Sequence, residues 1–427
     1  MRKPIFSLTL LLCLFMGVEA IAQLTVDVDL RARFEYRHGF NNLFPDDADP
    51  AAFVQQRSRL NIGYQAERYK LFVSAQDVST WGDTRQILPV DGNDSFMLFQ
   101  AWAEVFMDEA WALKAGRQVI SYDNQRIFGG LDWAMQGRFH DAALIKYKKD
   151  GFITDLGFAF NQPKPSVEGN VYPIQGFFSY KAMQYAYLKK NWEKSAASFL
   201  FLNSGFQDFI DGDIDRPDGV FYRQTTGTYF EFPIDQFNFW GSAYYQFGKA
   251  DGDTDLSAYQ LALEASIKPG KTVYALGFEM LSGTDQAGDD KNKSFFPLYG
   301  TNHKFNGFMD YFYVGNHANN VGLNDIYAKV KVATGEKSSL LLMGHYFAAN
   351  ADLLNNADKY LGTEIDLAFT QKITKGVKVD VGYSHMFAGE SMSLIKGGRP
   401  HDNTNNWAWV QLVVNPNIFT WDPNKNN

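Results

Sequence analysis

From Gln23 onward the chain alternates. Leu24, Val26, Val28, Leu30, Ala32, Phe34 and Tyr36 interleave without a fault with Thr25, Asp27, Asp29, Arg31, Arg33, Glu35 and Arg37, a two-residue period that specifies a β-strand. One face is purely apolar and the other almost wholly charged. The run is also longer than the ~5–6 residues usual for a strand in a water-soluble sheet. A strand with lipid on one side and water on the other accounts for both features. The pattern recurs where Val54, Ser58, Leu60, Ile62 and Tyr64 oppose Gln55, Arg57, Arg59, Asn61, Gln65 and Glu67. Continued along the chain, it predicts strands at 24–37, 53–67, 69–79, 96–108, 111–119, 138–149, 151–161, 178–191, 194–203, 219–232, 235–248, 256–268, 271–282, 324–335, 337–348, 360–374, 376–387 and 406–415.

The connections alternate too. Short turns such as Lys149-Asp150-Gly151, Lys268-Pro269-Gly270 and Gly335-Glu336-Lys337 take turns with long polar loops at 38–52, 80–95, 120–137 and 388–405. That asymmetry belongs to outer-membrane barrels, with turns in the periplasm and loops outside. The expected fold class is therefore all-β: a transmembrane antiparallel up-and-down β-barrel of about 18 strands with long external loops. A soluble sandwich or propeller would need a second layer to cover the apolar face of strand after strand. After the last predicted strand, Phe419 or Trp421 is placed to serve as the terminal aromatic residue that barrel assembly reads, although a polar tail runs on to Asn427.

The ends and the composition narrow the setting. Arg2 and Lys3 precede an apolar run from Ile5 to Val18, with small residues at Ala20 and Ala22, which predicts a secretory signal over 1–22 cleaved after Ala22. The run is too short for a spanning helix, which needs about 20 residues. Residues 23–427 show no linker, so they are expected to form one barrel domain in the outer membrane of a Gram-negative cell. The single cysteine, Cys13, lies inside the signal and follows Leu12, so the mature chain has no thiol for a disulfide or a metal. Loss of Arg2, Lys3 and Glu19 moves the net charge from -8 to -9, which excludes a basic nucleic-acid binder. Aromatic residues make up 16%, yet mean hydropathy is -0.29, as expected when lipid-facing and water-facing side chains alternate.

One stretch has a sharper signature. Gly116-Arg117-Gln118, then Tyr122-Asp123-Asn124-Gln125-Arg126, then Trp133 and Gly137-Arg138-Phe139-His140-Asp141, resembles the alginate-export family of outer-membrane barrels. Arg57-Ser58-Arg59-Leu60, Gln76-Asp77-Val78 and Trp81-Gly82 upstream are similar to that family as well, as is the segment Tyr299 to Asp310. The resemblance implies an eighteen-stranded barrel that passes a polyanionic polysaccharide by diffusion through an arginine-lined constriction.

Transport of this kind makes and breaks no bonds, so its chemistry is field and fit. Arginine suits carboxylates because its planar fork stays charged and binds bidentately. Arg31, Arg33, Arg37, Arg57 and Arg59 are the inward candidates on the first two strands, and Arg117, Arg126 and Arg138 come from the motif. Lys146 and Arg223 are further candidates. Each arginine could equally be a structural ion pair, for which Asp29, Glu35, Glu104, Asp123, Asp132 and Asp141 are the expected lumenal partners. Gly129 and Gly130 beside Phe128 suggest a bend that either brings a loop into the lumen or merely makes a turn. Trp102, Trp111, Trp133, Trp192, Trp240, Trp407 and Trp409 are candidates for interfacial girdles or for surfaces that stack on sugars.

The connection at 283–323 is too aromatic for a solvated tether. Tyr299, His303, Phe305, Phe308 and Asp310 mark it as either a plug or a folded cap. The acidic runs 211–215 and 251–255 lack the sixth-position glycine and twelfth-position glutamate of a calcium loop and read as solvated loops, with no metal and no cofactor expected. Seven histidines without ligand spacing, no GxSxG elbow and no phosphate loop argue against an enzyme, although His140 with Asp141 and His303 with Asp310 are conceivable pairs. The reading is passive passage of an anionic, alginate-like poly- or oligosaccharide, against a general small-solute or anion porin or a glycan-binding structural barrel. The expected partners are anionic glycan or small anions, outer-membrane lipid and lipopolysaccharide, and periplasmic export or degradation components.

Overall fold

The alternation is realised strand by strand. The computed structural model describes residues 22–84, 95–176, 178–317 and 320–423. The expected signal, apart from Ala22, and part of the loop 80–95 lie outside the described residues. All eighteen predicted strands are present. They are β1 (Gln23–His38), β2 (Ala51–Gln65), β3 (Tyr69–Thr80), β4 (Met97–Phe106), β5 (Trp111–Gln118), β6 (His140–Lys149), β7 (Phe152–Phe160), β8 (Ala182–Asn191), β9 (Ala196–Phe209) and β10 (Pro217–Ile234). The second half comprises β11 (Phe237–Lys249), β12 (Asp255–Ile267), β13 (Thr272–Leu281), β14 (Leu323–Ala333), β15 (Ser338–Ala348), β16 (Tyr360–Thr374), β17 (Val377–Ala388) and β18 (Asn405–Val414).

Every strand pairs antiparallel with the next, and β1 closes the cylinder by pairing with β2 on one side and β18 on the other. Closure leaves no free sheet edge in the hydrocarbon, where an unpaired backbone group has no water to bond. A short β19 (Asn417–Trp421) was not anticipated. It continues β18 along β1 after a break at Asn415-Pro416, with Val26 opposite Phe419. Pro416 has no N–H to give to the ladder, which is why the stave is split there.

Outward positions carry Leu60, Ile62, Leu71, Val73, Leu113, Leu261, Leu263, Leu367 and Val410, all exposed. This is the apolar belt that lipid covers. Trp111 and Trp192 stand on the outside at the turn end, where a tryptophan ring reaches the headgroup level. Trp102, Trp133, Trp240, Trp407 and Trp409 do not: Trp407 is fully buried, and Trp133 packs edge-on against both Trp407 and Trp409.

A hydrophobic cluster lies inside the barrel. It is built from loop residues such as Ile127, Phe128, Phe295, Tyr299, Met309, Tyr311 and Phe312 packed on inward strand residues such as Tyr185, Leu202, Phe347 and Trp407. Two connections from the loop end supply most of its loop residues: 119–139 between β5 and β6, and 282–322 between β13 and β14. The loop 389–404 adds a six-residue helix, α1 (Glu390–Ile395). β8 starts at Ala182 and not at 178 because Tyr180 is drawn into this packing, where its hydroxyl meets His140 Nδ1 at 3.0 Å.

Candidate functional site: a charged strap across the lumen

The inward face of β1 and β2 is a stack of charges set by the two-residue period. It holds five guanidinium groups, from Arg31, Arg33, Arg37, Arg57 and Arg59, against the carboxylates of Asp27, Asp29 and Glu35. The register places Arg31 directly opposite Arg57, a like-charge pair that destabilises a sheet unless something neutralises it. Glu35 receives Arg33 at 2.8 Å and Arg37 at 2.8 Å, and Asp29 receives Arg57 at 2.6 Å. The remaining charge is met by Asp132 of the connection 119–139, whose carboxylate lies 2.9 Å from Arg31, 3.1 Å from Arg57 and 3.8 Å from Arg59.

Asp132 reaches that wall because the connection 119–139 is a strap that crosses the barrel. At its start, Tyr122 donates to Asp155 on β7 at 2.7 Å, and Asp123 accepts from Tyr187 on β8 at 2.8 Å and from Ser198 on β9 at 2.6 Å. Arg126 then makes a bidentate pair with Glu279 on β13, at 2.8 and 2.9 Å, with Asn306 accepting at 2.8 Å. Finally Trp133 wedges between His303, stacked on it at 4.5 Å, and the Arg33 guanidinium, 4.1 Å from the ring centroid. Asp123, Gln125 and Leu131 have positive φ, local strain that the anchors hold in place.

The connection 282–322 lies against the inner faces of β13, β14 and β16 and joins the strap. Gly129 N donates to Tyr299 O at 2.9 Å and Thr301 N to Gln125 O at 2.9 Å. A Cβ on Gly129 would meet Thr301 Oγ1 at 2.3 Å, and one on Gly300 would meet Arg126 O at 2.1 Å. The glycines therefore serve close approach of two backbones; of the alternatives the sequence left open, the structure favours a loop in the lumen over a simple turn. Phe305 lies under the Arg126 guanidinium at 4.5 Å, His303 faces Asp310 at 3.0 Å, and Phe308 stacks on His303 at 5.7 Å. Asn306 donates to Glu279 at 2.9 Å and to Asp325 on β14 at 3.2 Å, and Met309 N donates to Glu364 on β16 at 2.8 Å.

The upper arc of β13 to β16 is thus acidic. Glu279, Asp325, Glu364 and Asp366 are all buried there, with His345 2.9 Å from Asp325. None of these four is among the lumenal carboxylates expected from the sequence. Glu364 and Asp366 flank the outward Ile365 and could have been found from the same two-residue period that exposed the arginines.

Two expected lumenal residues are elsewhere. Arg117 and Asp141 form a bidentate pair at 2.8 and 2.9 Å, but on the outer face of β5 and β6. The period decides this: Trp111 and Leu113, at the same parity as Arg117, are exposed, whereas Gln118 is buried inside. Arg117 lies over Phe139 at 4.2 Å. Arg138 is inside but bonds Gly300 O at 2.9 Å with its guanidinium over Phe178 at 4.3 Å, and burial pushes it down to about 10. Glu104 receives Lys146 at 2.8 Å, and Arg223 donates to Ala250 O at 2.9 Å. In the acidic run 251–255, Asp251 turns back on its own backbone, accepting from Thr254 N at 2.8 Å. Among the described residues no three His, Cys, Asp or Glu side chains are grouped to hold a metal ion.

The model of the family described as "Alginate export" matches residues 22–405. The chain belongs to the alginate export family. Among the solved structures it resembles are proteins of Pseudomonas aeruginosa, of which OpdK is described as an outer-membrane protein. OpdL matches with a TM-score of 0.62 at 11% identity, covering 93% of this chain and 99% of that one. OpdK matches at 0.60 and 10%, covering 94% and 99%, and OpdO at 0.59 and 14%, covering 93% and 98%. Identities this low speak for the fold alone. No curated protein matches the sequence. The family and the barrel fold make the protein an outer-membrane channel of an export family.

Proposed function

We propose that this family member passes an anionic, alginate-like poly- or oligosaccharide by passive diffusion, with the β1–β2 arginine wall and the strap forming the selective step. The observation that carries the reading is the excess of guanidinium on that wall: five cations meet three carboxylates from the strands and a fourth from the strap. A wall that remains net positive favours a chain of carboxylates by field and by bidentate hydrogen bonding. The loops 119–139 and 282–322 then act as constriction and plug, and a leader over 1–22 followed by one barrel domain belongs to the same reading. Outside, the apolar belt meets lipid and lipopolysaccharide; inside, periplasmic export or degradation components deliver or receive the glycan.

The test is reversal potential and conductance in planar bilayers under a salt gradient, with uronate oligomers as blockers. Anion selectivity and uronate block that both fall when Arg31, Arg33, Arg57 and Arg59 are changed to alanine are the expected result. A channel whose selectivity ignores these four changes would sink the reading. A second reading, a porin for small carboxylates, draws on the structural neighbour OpdK, whose structure was solved with vanillate. Block by small monocarboxylates as strong as block by oligomers would favour it.

A further inference from the structure

We propose that Asp132 is a specificity-determining residue of this pore: its carboxylate is a built-in occupant of the arginine site that a multivalent carboxylate chain displaces and a single carboxylate does not. The inference rests on the pore reading above and adds the residue that lets the pore tell a chain of carboxylates from a single one.

The geometry separates what Asp132 does from what holds the strap. Its side chain is 69% exposed, whereas that of Arg57 is fully buried, so the carboxylate stands at the lumenal mouth of a fork whose walls are closed. The strap is held at this point by main-chain carbonyls. Arg31 donates to Asp132 O at 2.6 Å, Arg33 to Trp133 O at 2.9 Å, and Gln76 and Arg59 to Gln136 O at 3.1 and 3.3 Å. Without the Asp132 carboxylate these bonds remain, together with the wedged Trp133 ring. What the carboxylate adds is an anion where the register has forced Arg31 against Arg57. Leu131, immediately before it, sits at φ 49, a conformation a leucine adopts only at a cost, and this turns Asp132 toward the wall.

Exchange of one carboxylate for another conserves the hydrogen bonds to arginine, so valence decides the outcome. A tethered group competes at an effective concentration on the order of millimolar or higher. A free monouronate must overcome that concentration each time. A polyuronate has the same advantage as Asp132, because one carboxylate held near the fork keeps the next at a high local concentration beside it.

The experiment measures block of single channels by monomeric galacturonate and by an oligogalacturonate of about six residues at equal carboxylate concentration. It compares the native protein, Asp132→Asn, and Asp141→Asn on the outer face, each first shown to be folded by heat-modifiable migration; Asp132→Ala serves if the asparagine variant does not fold. In the native protein the oligomer blocks and the monomer does not. In Asp132→Asn the monomer gains about tenfold and the oligomer-to-monomer ratio falls by as much, while Asp141→Asn behaves as native. An unchanged ratio in Asp132→Asn, with arginine-dependent oligomer block intact, overturns the role of Asp132 and leaves the pore reading standing. Block of no variant by either probe overturns both.

Discussion

Two stretches of the lumen wall invite comparison because one loop completes both. On β1 and β2 the strands bring five guanidinium groups and too few carboxylates, and the strap supplies Asp132. On the upper arc of β13 to β16 the strands bring Glu279, Asp325, Glu364 and Asp366, and the strap supplies Arg126. The same loop carries opposite charges six positions apart to two different stretches of the wall. Yet the two joints differ in kind. Arg126 is sealed in a bidentate pair with further amide partners, whereas Asp132 stays open to the lumen. A sealed ion pair is costly to break, and an open one is cheap to exchange. The difference assigns anchorage to the acidic arc and selectivity to the basic one.

The comparison is broken most forcefully at the anchor. Glu279→Ala leaves Arg126 buried without its carboxylate and is expected to cost about 3–5 kcal/mol in chemical unfolding of the refolded barrel. A loss below about 1 kcal/mol would mean that the acidic arc does not anchor the strap. On the other arc, changing Arg31 and Arg57 together to alanine should lower the anion-to-cation permeability ratio by about tenfold with a smaller loss of stability. If Glu364→Gln with Asp366→Asn lowers that ratio as much, the division of labour between the arcs is wrong.

The contact between the two inner loops gives a smaller effect. Gly300→Ala places a methyl group against Arg126 O and should cost about 1–3 kcal/mol, read as faster proteolysis of 282–322. Gly344→Ala, whose added methyl group meets nothing within 4 Å, is the control.

The smallest effect expected is one of pH. Lys396, just after α1, donates to the carbonyls of Tyr311 and Asn316, and burial pushes it from 10.5 down to about 7. Nearby His317 is pushed down to about 3, by burial and then by Lys396, and stays neutral. Between about pH 7 and 10.5 the undocked loop binds a proton that the docked loop does not, so docking strengthens as pH rises through that window and is weakest below it. Hydrogen exchange in 389–404 should slow accordingly, and Lys396→Met should flatten the profile; a native profile already flat would remove Lys396 as its cause.

Much of the site was written in one period. The inward arginines of β1 and β2 and the lipid-facing leucines follow from parity, because in a strand each side chain points opposite to its neighbours. Arg117 obeys the same parity, because it shares a face with Trp111 and Leu113; only the resemblance of the motif around it points inward. Glu279 could not have been matched to Arg126 in this way, since 153 positions separate them and no local rule joins a loop to a distant strand.

Alternation and the short-long rhythm of connections determined by themselves that this chain makes an eighteen-stranded barrel in an outer membrane, and which residues of each strand face water. They do so because strand pairing between neighbours in sequence is local, and one slip would turn every apolar side chain into the lumen. Only the tertiary structure decided that 119–139 crosses the lumen, that Asp132 and Arg126 reach different walls, and that Gly129 and Gly300 let two loops touch. Those contacts depend on which walls the closed cylinder brings face to face across its interior, a distance through space that no periodicity along the chain encodes.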